Sequence, residues 1–197
     1  MRRYVFSILF LIAVLAALSF VLAYAESRSG FVIEKGWMDF FPPRDLSPGI
    51  FFSTYGLALL GIVLCFRRSE TGLRLIQGYA FLSLLRCITL LCVPLDPPEG
   101  IVPLNDWLLK STFYAGRDNL KDLFFSGHVA TLILFGLILK EKSWKRIFFA
   151  GALAVGIMVV LQRVHYVSDV LAAPVFAGIA WYMSGKFAAK TIRDGEW

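Results

Sequence analysis

The feature that most constrains this chain is a series of long apolar runs separated by short polar connections. Of its 197 residues, 58% are hydrophobic and 17% are charged, and its mean hydropathy is +0.69. A soluble domain has about 45–50% apolar and about 25% charged residues, so a soluble globular fold is excluded. The runs predict an all-α fold, a polytopic membrane bundle of six transmembrane helices in a single membrane domain over residues 1–197. The predicted spans are residues 4–23, 50–66, 73–93, 123–139, 147–161 and 170–187.

The first apolar run also resembles a secretory signal peptide. Arg2 and Arg3 precede the run, and residues 23–25 read Ala-Tyr-Ala, which is similar to a cleavage site. The run is longer than the apolar segment of a signal peptide, which has about 7–15 residues. This length favours a retained membrane span. Both alternatives leave the later spans facing the same way.

Basic residues are divided unequally between two sets of connections. Twelve Lys and Arg residues lie near the termini and in residues 67–74 and 140–146, whereas seven lie in residues 24–49, 94–122 and 162–169. The positive-inside rule therefore predicts cytoplasmic termini and places the last three connections outside. The net charge is +6, but the basic residues cluster between apolar runs rather than along one polar face. We therefore expect no nucleic-acid partner.

Two further patterns concern the outer loops and the cofactor content. Residues 105–110, Asn-Asp-Trp-Leu-Leu-Lys, predict a capped amphipathic turn that suits the headgroup layer. Cys65, Cys87 and Cys92 all lie in apolar runs and lack the spacing of a zinc site or of a disulfide framework. We therefore expect these cysteines to be small core residues, with no cysteine-bound metal or cofactor.

The chain contains only two histidines, and both lie near the predicted outer face. His128 would lie about 9 Å into the fourth span if that helix begins near Asp122. His165 lies just outside the sixth span and four residues before Asp169, so the two would share one face of a helical turn. Ionisable groups are costly within a bilayer, which makes His128, Asp169 and Arg86 functional candidates. A structural ion pair between Arg86 and Asp169 is the alternative.

This combination of residues suits phosphoryl transfer through a covalent histidine intermediate. A neutral imidazole can attack phosphorus while a carboxylate on its other nitrogen fixes the tautomer, and His165 with Asp169 fits that role. A second imidazole can protonate the leaving alkoxide and later recover the proton, which fits His128. Positive charge near the phosphate and a close approach of the backbone are also needed. The candidates for phosphate contacts are Arg163, Arg86, Lys110, Arg117, Ser126 and Gly127.

Three stretches of the chain resemble signatures of the phosphatidic acid phosphatase type 2 and haloperoxidase superfamily. The similarity is closer to the sphingomyelin synthase-like branch of that superfamily, and it extends over about residues 73–185. The stretches are residues 86–95, residues 122–128, which end in Ser-Gly-His, and residues 165–170.

The resemblance implies a metal-independent enzyme with His165 as the nucleophile, Asp169 as the residue that orients it, and His128 as acid and base. The chain departs from the superfamily pattern in its phosphate-binding positions. The superfamily's first signature is a Lys and an Arg separated by six residues and then Pro. Lys110 and Arg117 are similar to it, but Asp118 follows instead of Pro. The third signature usually has an Arg six residues before the histidine, where this chain has Val159.

We therefore expect an integral-membrane lipid phosphotransferase that moves a head group of the phosphocholine or phosphoethanolamine type between lipids. The donor is a membrane phospholipid and the acceptor a lipid alcohol. With water as the acceptor, the same residues make a lipid phosphate phosphatase. The depth expected for His128 favours transfer, because water is scarce below the headgroup level. A transporter or channel and an inactive scaffold are weaker alternatives. The expected location is the plasma (inner) membrane, with the site on its outer, periplasmic or lumenal face.

Overall fold

The chain folds into α-helices joined by irregular connections. The computed structural model describes residues 2–33, 41–113, 116 and 118–193, with side chains as far as residue 188. Within these ranges lie seven helices and one isolated bridge between Phe31 and Leu95, so the predicted all-α fold is confirmed. The helices are α1 (Arg2–Ser27), α2 (Ser47–Phe66), α3 (Ser69–Cys92), α4 (Trp107–Thr112), α5 (Gly127–Ile138), α6 (Lys142–Leu161) and α7 (Val167–Arg193).

Five of the helices in the described ranges are long and apolar enough to cross a membrane. They are α1, α2, α3, α6 and the Val167–Ala188 part of α7, and they coincide with five of the six predicted spans. These helices are those of a multi-pass membrane protein. The remaining predicted span, residues 123–139, corresponds to α5. This helix has only 12 residues and is therefore about 18 Å long, shorter than the hydrocarbon core of about 30 Å.

The short helix α5 lies at the centre of the bundle. It packs against α2, α3, α6 and α7, and eight of its residues are buried. The approach to α2 is close, because a Cβ atom at Gly61 would lie 2.5 Å from the ring of Phe135. Its neighbours separate α5 from lipid, so α5 itself does not have to match the thickness of the bilayer.

Polar contacts join the connections into two groups at opposite ends of the bundle. At one end, Lys140 binds Glu70 at 3.0 Å and links the turn after α5 to the start of α3. At the other end, the N–H of Val102 donates to the carbonyl of Gln162 at 3.1 Å. We name this second end, which contains residues 94–113, 116 and 118–126, the outer end. The side of the membrane that it faces stays a prediction from the charge distribution.

Candidate active site

His165 lies in the short connection between α6 and α7, two residues before α7 begins. Its Nδ1 atom is 3.1 Å from Oδ2 of Asp169, and both side chains are buried. The same carboxylate oxygen accepts the backbone N–H of Tyr166 at 3.3 Å. A φ of +60° at Arg163 turns the chain sharply after α6 and brings His165 back toward α7. Because Nδ1 is engaged, Nε2 is the nitrogen that remains for chemistry.

His128 is paired with Asp106, a carboxylate that the sequence pattern indicated only as a helix cap. Its Nε2 atom is 3.1 Å from Oδ2 of Asp106, which is 2% exposed. The hydroxyl of Tyr55 donates to the same oxygen at 2.8 Å, and the other oxygen accepts the N–H of Leu109 at 3.0 Å. Asp106 therefore caps α4, which confirms the capped turn predicted for residues 105–110. It also orients His128.

The hydrogen bonds around Asp106 keep this carboxylate ionised although it is buried. Burial raises the pKa of the Asp106 carboxyl, but the hydrogen bonds from His128, Leu109 N–H and Tyr55 outweigh burial and leave the pKa below its ordinary value. An ionised carboxylate accepts the Nε2–H of neutral His128, so Nδ1 becomes the proton acceptor of that ring. The two histidines thus engage their carboxylates through different nitrogens.

The segment before His128 is not helical, which corrects the expected depth of that residue. Helix α5 begins directly after Ser126, so His128 lies in the first turn rather than about 9 Å inside the helix. Phe124 has a φ of +90°, a left-handed conformation that interrupts a helix. Residues 122–126 instead wrap around the guanidinium group of Arg86.

Arg86 is held by this segment through several hydrogen bonds. Its Nε and Nη2 atoms are 2.9 and 2.5 Å from Oδ1 of Asp122, and Nη1 donates to the carbonyl of Phe125 at 2.9 Å. The acidic partner is therefore Asp122 rather than Asp169. A Cβ atom at Gly127 would lie 2.6 Å from Nη1 of Arg86, so glycine allows this close approach. The contacts identify Arg86 as the residue that fixes the loop before α5, and its contact with phosphate stays a prediction.

The other predicted phosphate ligands lie in different surroundings. The guanidinium of Arg163 donates to two backbone carbonyls of the outer loops, at 2.7 and 3.1 Å. Lys110 lines the same cavity as both histidines, and its Nζ atom is 2.6 Å from Oδ1 of Asp118. Arg117 lies outside the described residues. Of Arg163 and Lys110, Lys110 is the one that lines the cavity with the histidines.

The start of α5 offers backbone donors to an anion. The Ser126 side chain makes no cap bond, and its buried Oγ atom has no hydrogen-bond partner among the residues described. The N–H groups of Gly127, His128 and Val129 belong to the first turn, where a helix leaves its donors without intrahelical acceptors. Such a terminus binds anions. The positions of Ser126 and Gly127 therefore fit the phosphate contact predicted for them.

Both histidines line one small cavity of about 40 Å³ at the outer end. Its other polar walls include Lys110 and Asp122, and several apolar side chains complete it. In the ranges that the structure covers, no group of three His, Cys, Asp or Glu side chains is arranged to hold a metal ion. The cavity can present a nucleophilic imidazole and a proton-transferring imidazole to the same reacting group. Its apolar walls are Ile101, Pro103, Leu104, Leu109, Leu120 and Val164.

Comparisons with known proteins support the resemblance to the superfamily but not the closer resemblance to its sphingomyelin synthase-like branch. No curated protein and no solved structure matches the chain. The sphingomyelin synthase-like branch is therefore not distinguished from the rest of the superfamily. Residues 121–186, about a third of the chain, match the family model described as PAP2 superfamily C-terminal, and this match supports the PAP2 superfamily for the region that carries His128, His165 and Asp169.

Proposed function

We propose that this chain is an integral-membrane lipid phosphotransferase that moves a phosphocholine- or phosphoethanolamine-type head group between lipids through a phosphohistidine intermediate. One observation carries the proposal. Two histidine–carboxylate pairs, the buried pair of His165 with Asp169 and the partly buried pair of His128 with Asp106, each 3.1 Å apart, adjoin one cavity. The PAP2 superfamily match supports a lipid enzyme of the phosphatase or phosphotransferase type.

In the first half-reaction, His165 is the nucleophile. Its Nε2 lone pair forms a bond to the phosphorus of the donor lipid while the bond from phosphorus to the lipid oxygen breaks. Asp169, bound at Nδ1, holds the ring in the required tautomer and balances the positive charge that develops on it. His128 enters this step as an imidazolium and gives its Nδ1 proton to the leaving oxygen. Asp106 stabilises that imidazolium before the proton is transferred.

In the second half-reaction, the acceptor occupies the position that the leaving group has vacated. The acceptor hydroxyl gives its proton to neutral His128, and its oxygen attacks phosphorus while the bond from phosphorus to His165 breaks. The N–H groups at the start of α5 and the ammonium group of Lys110 stabilise the charge on the nonbridging oxygens in both steps. Both histidines then return to their starting protonation states.

We favour a lipid alcohol as the acceptor, with water as the alternative. The expected depth of His128 no longer supports this choice, because α5 begins at Gly127. The support comes from a larger cavity of about 440 Å³ with mostly apolar walls, which His128 also lines. Such a cavity offers a membrane lipid a route to His128, whereas the polar walls of the small cavity are compatible with water. If water does attack the intermediate, the enzyme is a lipid phosphate phosphatase.

We place the site on the outer face of a plasma membrane or on an equivalent periplasmic or lumenal face. The excess of basic residues in the other connections supports this orientation. A phospholipid in that leaflet presents its phosphate at the headgroup level, which is the level of loops that flank membrane helices.

Product partition in liposomes tests the proposal. The purified protein is reconstituted with a phospholipid labelled in its head group, and diacylglycerol or ceramide is added in increasing amounts. We expect a labelled lipid product that increases with the acceptor, and a labelled protein whose bond is labile in acid and stable in base. Release of phosphate or phosphoalcohol without any labelled lipid product supports the phosphatase alternative. The absence of turnover and of labelled protein with every phospholipid of the panel contradicts both.

A further inference from the structure

A second and much larger cavity extends from the candidate site into the bundle. Its volume is about 440 Å³, within the range of about 300–1,000 Å³ that is typical of small-molecule sites. Gly127, His128 and Asp122 line its outer end. Five helices, α1 to α5, contribute its mostly apolar walls. We name this cavity the groove, and its inner end is lined by Ile62, Phe66, Leu75 and Ile76.

The groove opens sideways between two helices. Both α1 and α2 pack against α3, but in the described residues no Cα atom of α1 lies within 8 Å of a Cα atom of α2. Leu11 and Leu18 of α1 line one side of the groove, and Ala58 of α2 lines another. The outward faces of the same two helices carry exposed apolar side chains such as Phe20 and Leu59. The gap between α1 and α2 therefore connects the groove with the surface that faces lipid.

Three Ser and Thr hydroxyl groups interrupt the apolar lining near its outer end. Thr131 lies three residues after His128 in α5, and Ser83 lies three residues before Arg86 in α3. Thr131 therefore lies about 4.5 Å farther into the bundle than His128, and Ser83 about 4.5 Å farther than Arg86. Thr54 of α2 also lines the groove, and its buried Oγ1 atom has no hydrogen-bond partner in the part of the chain described. Such hydroxyls can bind the ester or amide group that follows the head group of a membrane lipid.

We infer that the groove holds one hydrocarbon chain of the phospholipid donor, which enters between α1 and α2 and places its phosphate beside His128. This inference rests on the proposed function. Eleven residues of α3 separate Arg86 at the outer end from Leu75 at the inner end, a rise of about 16 Å. An extended chain of about 13 methylene groups has this length, at roughly 1.25 Å for each C–C bond of 1.5 Å. The groove therefore makes the enzyme selective for chain length.

Adjacent substitutions in α2 provide a matched test. Ala58 lines the groove, whereas Leu59 is 65% exposed on the outside of the helix. We expect Ala58→Trp to lower the kcat/KM ratio of long-chain to short-chain donors by at least about tenfold, which corresponds to about 1.4 kcal/mol and to roughly two methylene groups removed from the groove. We expect Leu59→Trp to change that ratio less than about twofold, as a surface substitution does. Equal ratios in both variants would overturn the inference.

Ile76→Ala provides a second test with the opposite sign. The substitution enlarges the inner end of the groove, so the preferred chain becomes longer and the long-to-short ratio increases. A variant that is merely misfolded does not shift the preference in opposite directions at the two positions. An unchanged preference in Ile76→Ala would contradict the role of the inner end.

Photolabelling separates this inference from the proposed reaction. The probe is a phospholipid with a diazirine at the end of one acyl chain, and the readout is the labelled peptide in the intact protein. Labelling near Leu75 or Ile76 that is lost in Ala58→Trp supports the groove even where no donor of the panel is turned over. Labelling confined to the lipid-facing surface around Leu59 overturns the inference even where head-group transfer is observed.

Discussion

Replacing Asp106 with Asn isolates the role of the second histidine–carboxylate pair. Oδ1 of Asp106 accepts the N–H of Leu109, and Oδ2 accepts from Tyr55 and contacts His128. Asn is about as good a helix cap as Asp, so its carbonyl takes the place of Oδ1. The amide nitrogen then takes the place of Oδ2 and presents a donor to Nε2 of His128. The substitution therefore keeps the cap of α4 and reverses the hydrogen bond to the histidine.

Two effects determine the magnitude. A hydrogen bond to a charged group contributes about 1.5–3 kcal/mol, which corresponds to a rate factor of about 10 to 150 at 1.36 kcal/mol for each tenfold. The new donor also favours the Nδ1–H tautomer of His128, which removes the nitrogen that accepts the proton. In a serine protease triad, an Asp-to-Asn change that leaves the histidine in the wrong tautomer lowers kcat by about 10⁴. We expect kcat of Asp106→Asn to fall by a factor between about 10² and 10⁴, with a smaller change in KM.

The pH dependence distinguishes this positioning role from a purely structural one. The pKa of Asp106 lies below its ordinary value despite burial, so the carboxylate stays charged through the neutral range. A kcat defect that varies with pH there therefore reports on the imidazolium of His128 that Asp106 stabilises. The depressed pKa stabilises the fold above the unfolded pKa of about 3.9. That contribution disappears as the pH falls through the folded pKa, because the unfolded chain binds more protons in this window. Wild-type protein should therefore lose more stability than Asp106→Asn on acidification below about pH 4.

Asp45 provides the matched control. It is exposed at the outer end, and its Oδ1 atom accepts the N–H of Ser47 at 2.9 Å. Asp45→Asn makes the same chemical change away from the histidines, and we expect kcat within about twofold of wild type. A folded Asp106→Asn protein with wild-type kcat would refute the pairing of Asp106 with His128 in catalysis. Partial recovery of kcat in Asp106→Glu would support it.

Other substitutions test the nucleophile, the loop before α5 and the orientation. His165→Gln should abolish both turnover and the acid-labile phosphoprotein, and labelled phosphoprotein in this variant would place the nucleophile elsewhere. Arg86→Lys keeps the charge but loses the fork-shaped hydrogen bonds to the loop, so the free energy of unfolding should fall by about 1.5–3 kcal/mol. A decrease no larger than that caused by Arg67→Lys, at an exposed position, would contradict the structural role of Arg86. Single cysteines are introduced at Trp107 and at Ser143 in a protein whose exposed Cys92 is replaced by Ser. They should react with an impermeant reagent from opposite sides of the membrane. Labelling of both from one side would refute the orientation.

Length and hydropathy were enough to predict most of the fold. Each of the five long apolar helices overlaps a predicted span, because the need to satisfy every backbone group in lipid leaves few alternatives to a helix. The same rule failed at residues 123–126, where three apolar residues extend the run without extending the helix. Hydropathy registers these side chains as membrane-compatible. It does not register that Arg86, a residue of α3, binds the carbonyl of Phe125.

The two histidine–carboxylate pairs differ in how far the sequence reveals them. His165 and Asp169 are four residues apart, and that spacing predicts a contact. His128 and Asp106 are 22 residues apart, and their contact depends on how the irregular connection before α4 places Asp106 beside the start of α5. The available signal was the cap pattern at residues 105–110, since a capping carboxylate uses one oxygen for the helix and leaves the other for a second partner.

The irregular loop before α5 is itself what makes an anion site available. If the helix extended to Asp122, as the apolar run suggests, the N–H groups of Gly127, His128 and Val129 would bind carbonyls one turn earlier and could not bind phosphate. Unwinding this segment exposes carbonyls where water is scarce, and each needs a donor. Arg86 supplies one by binding the carbonyl of Phe125. A guanidinium fork is suited to this task because it can bind a carboxylate and a carbonyl together. Composition alone would assign Arg86 to the substrate. Arg86 instead binds the loop, and in the proposed mechanism the N–H groups at the start of α5 are left to bind the substrate.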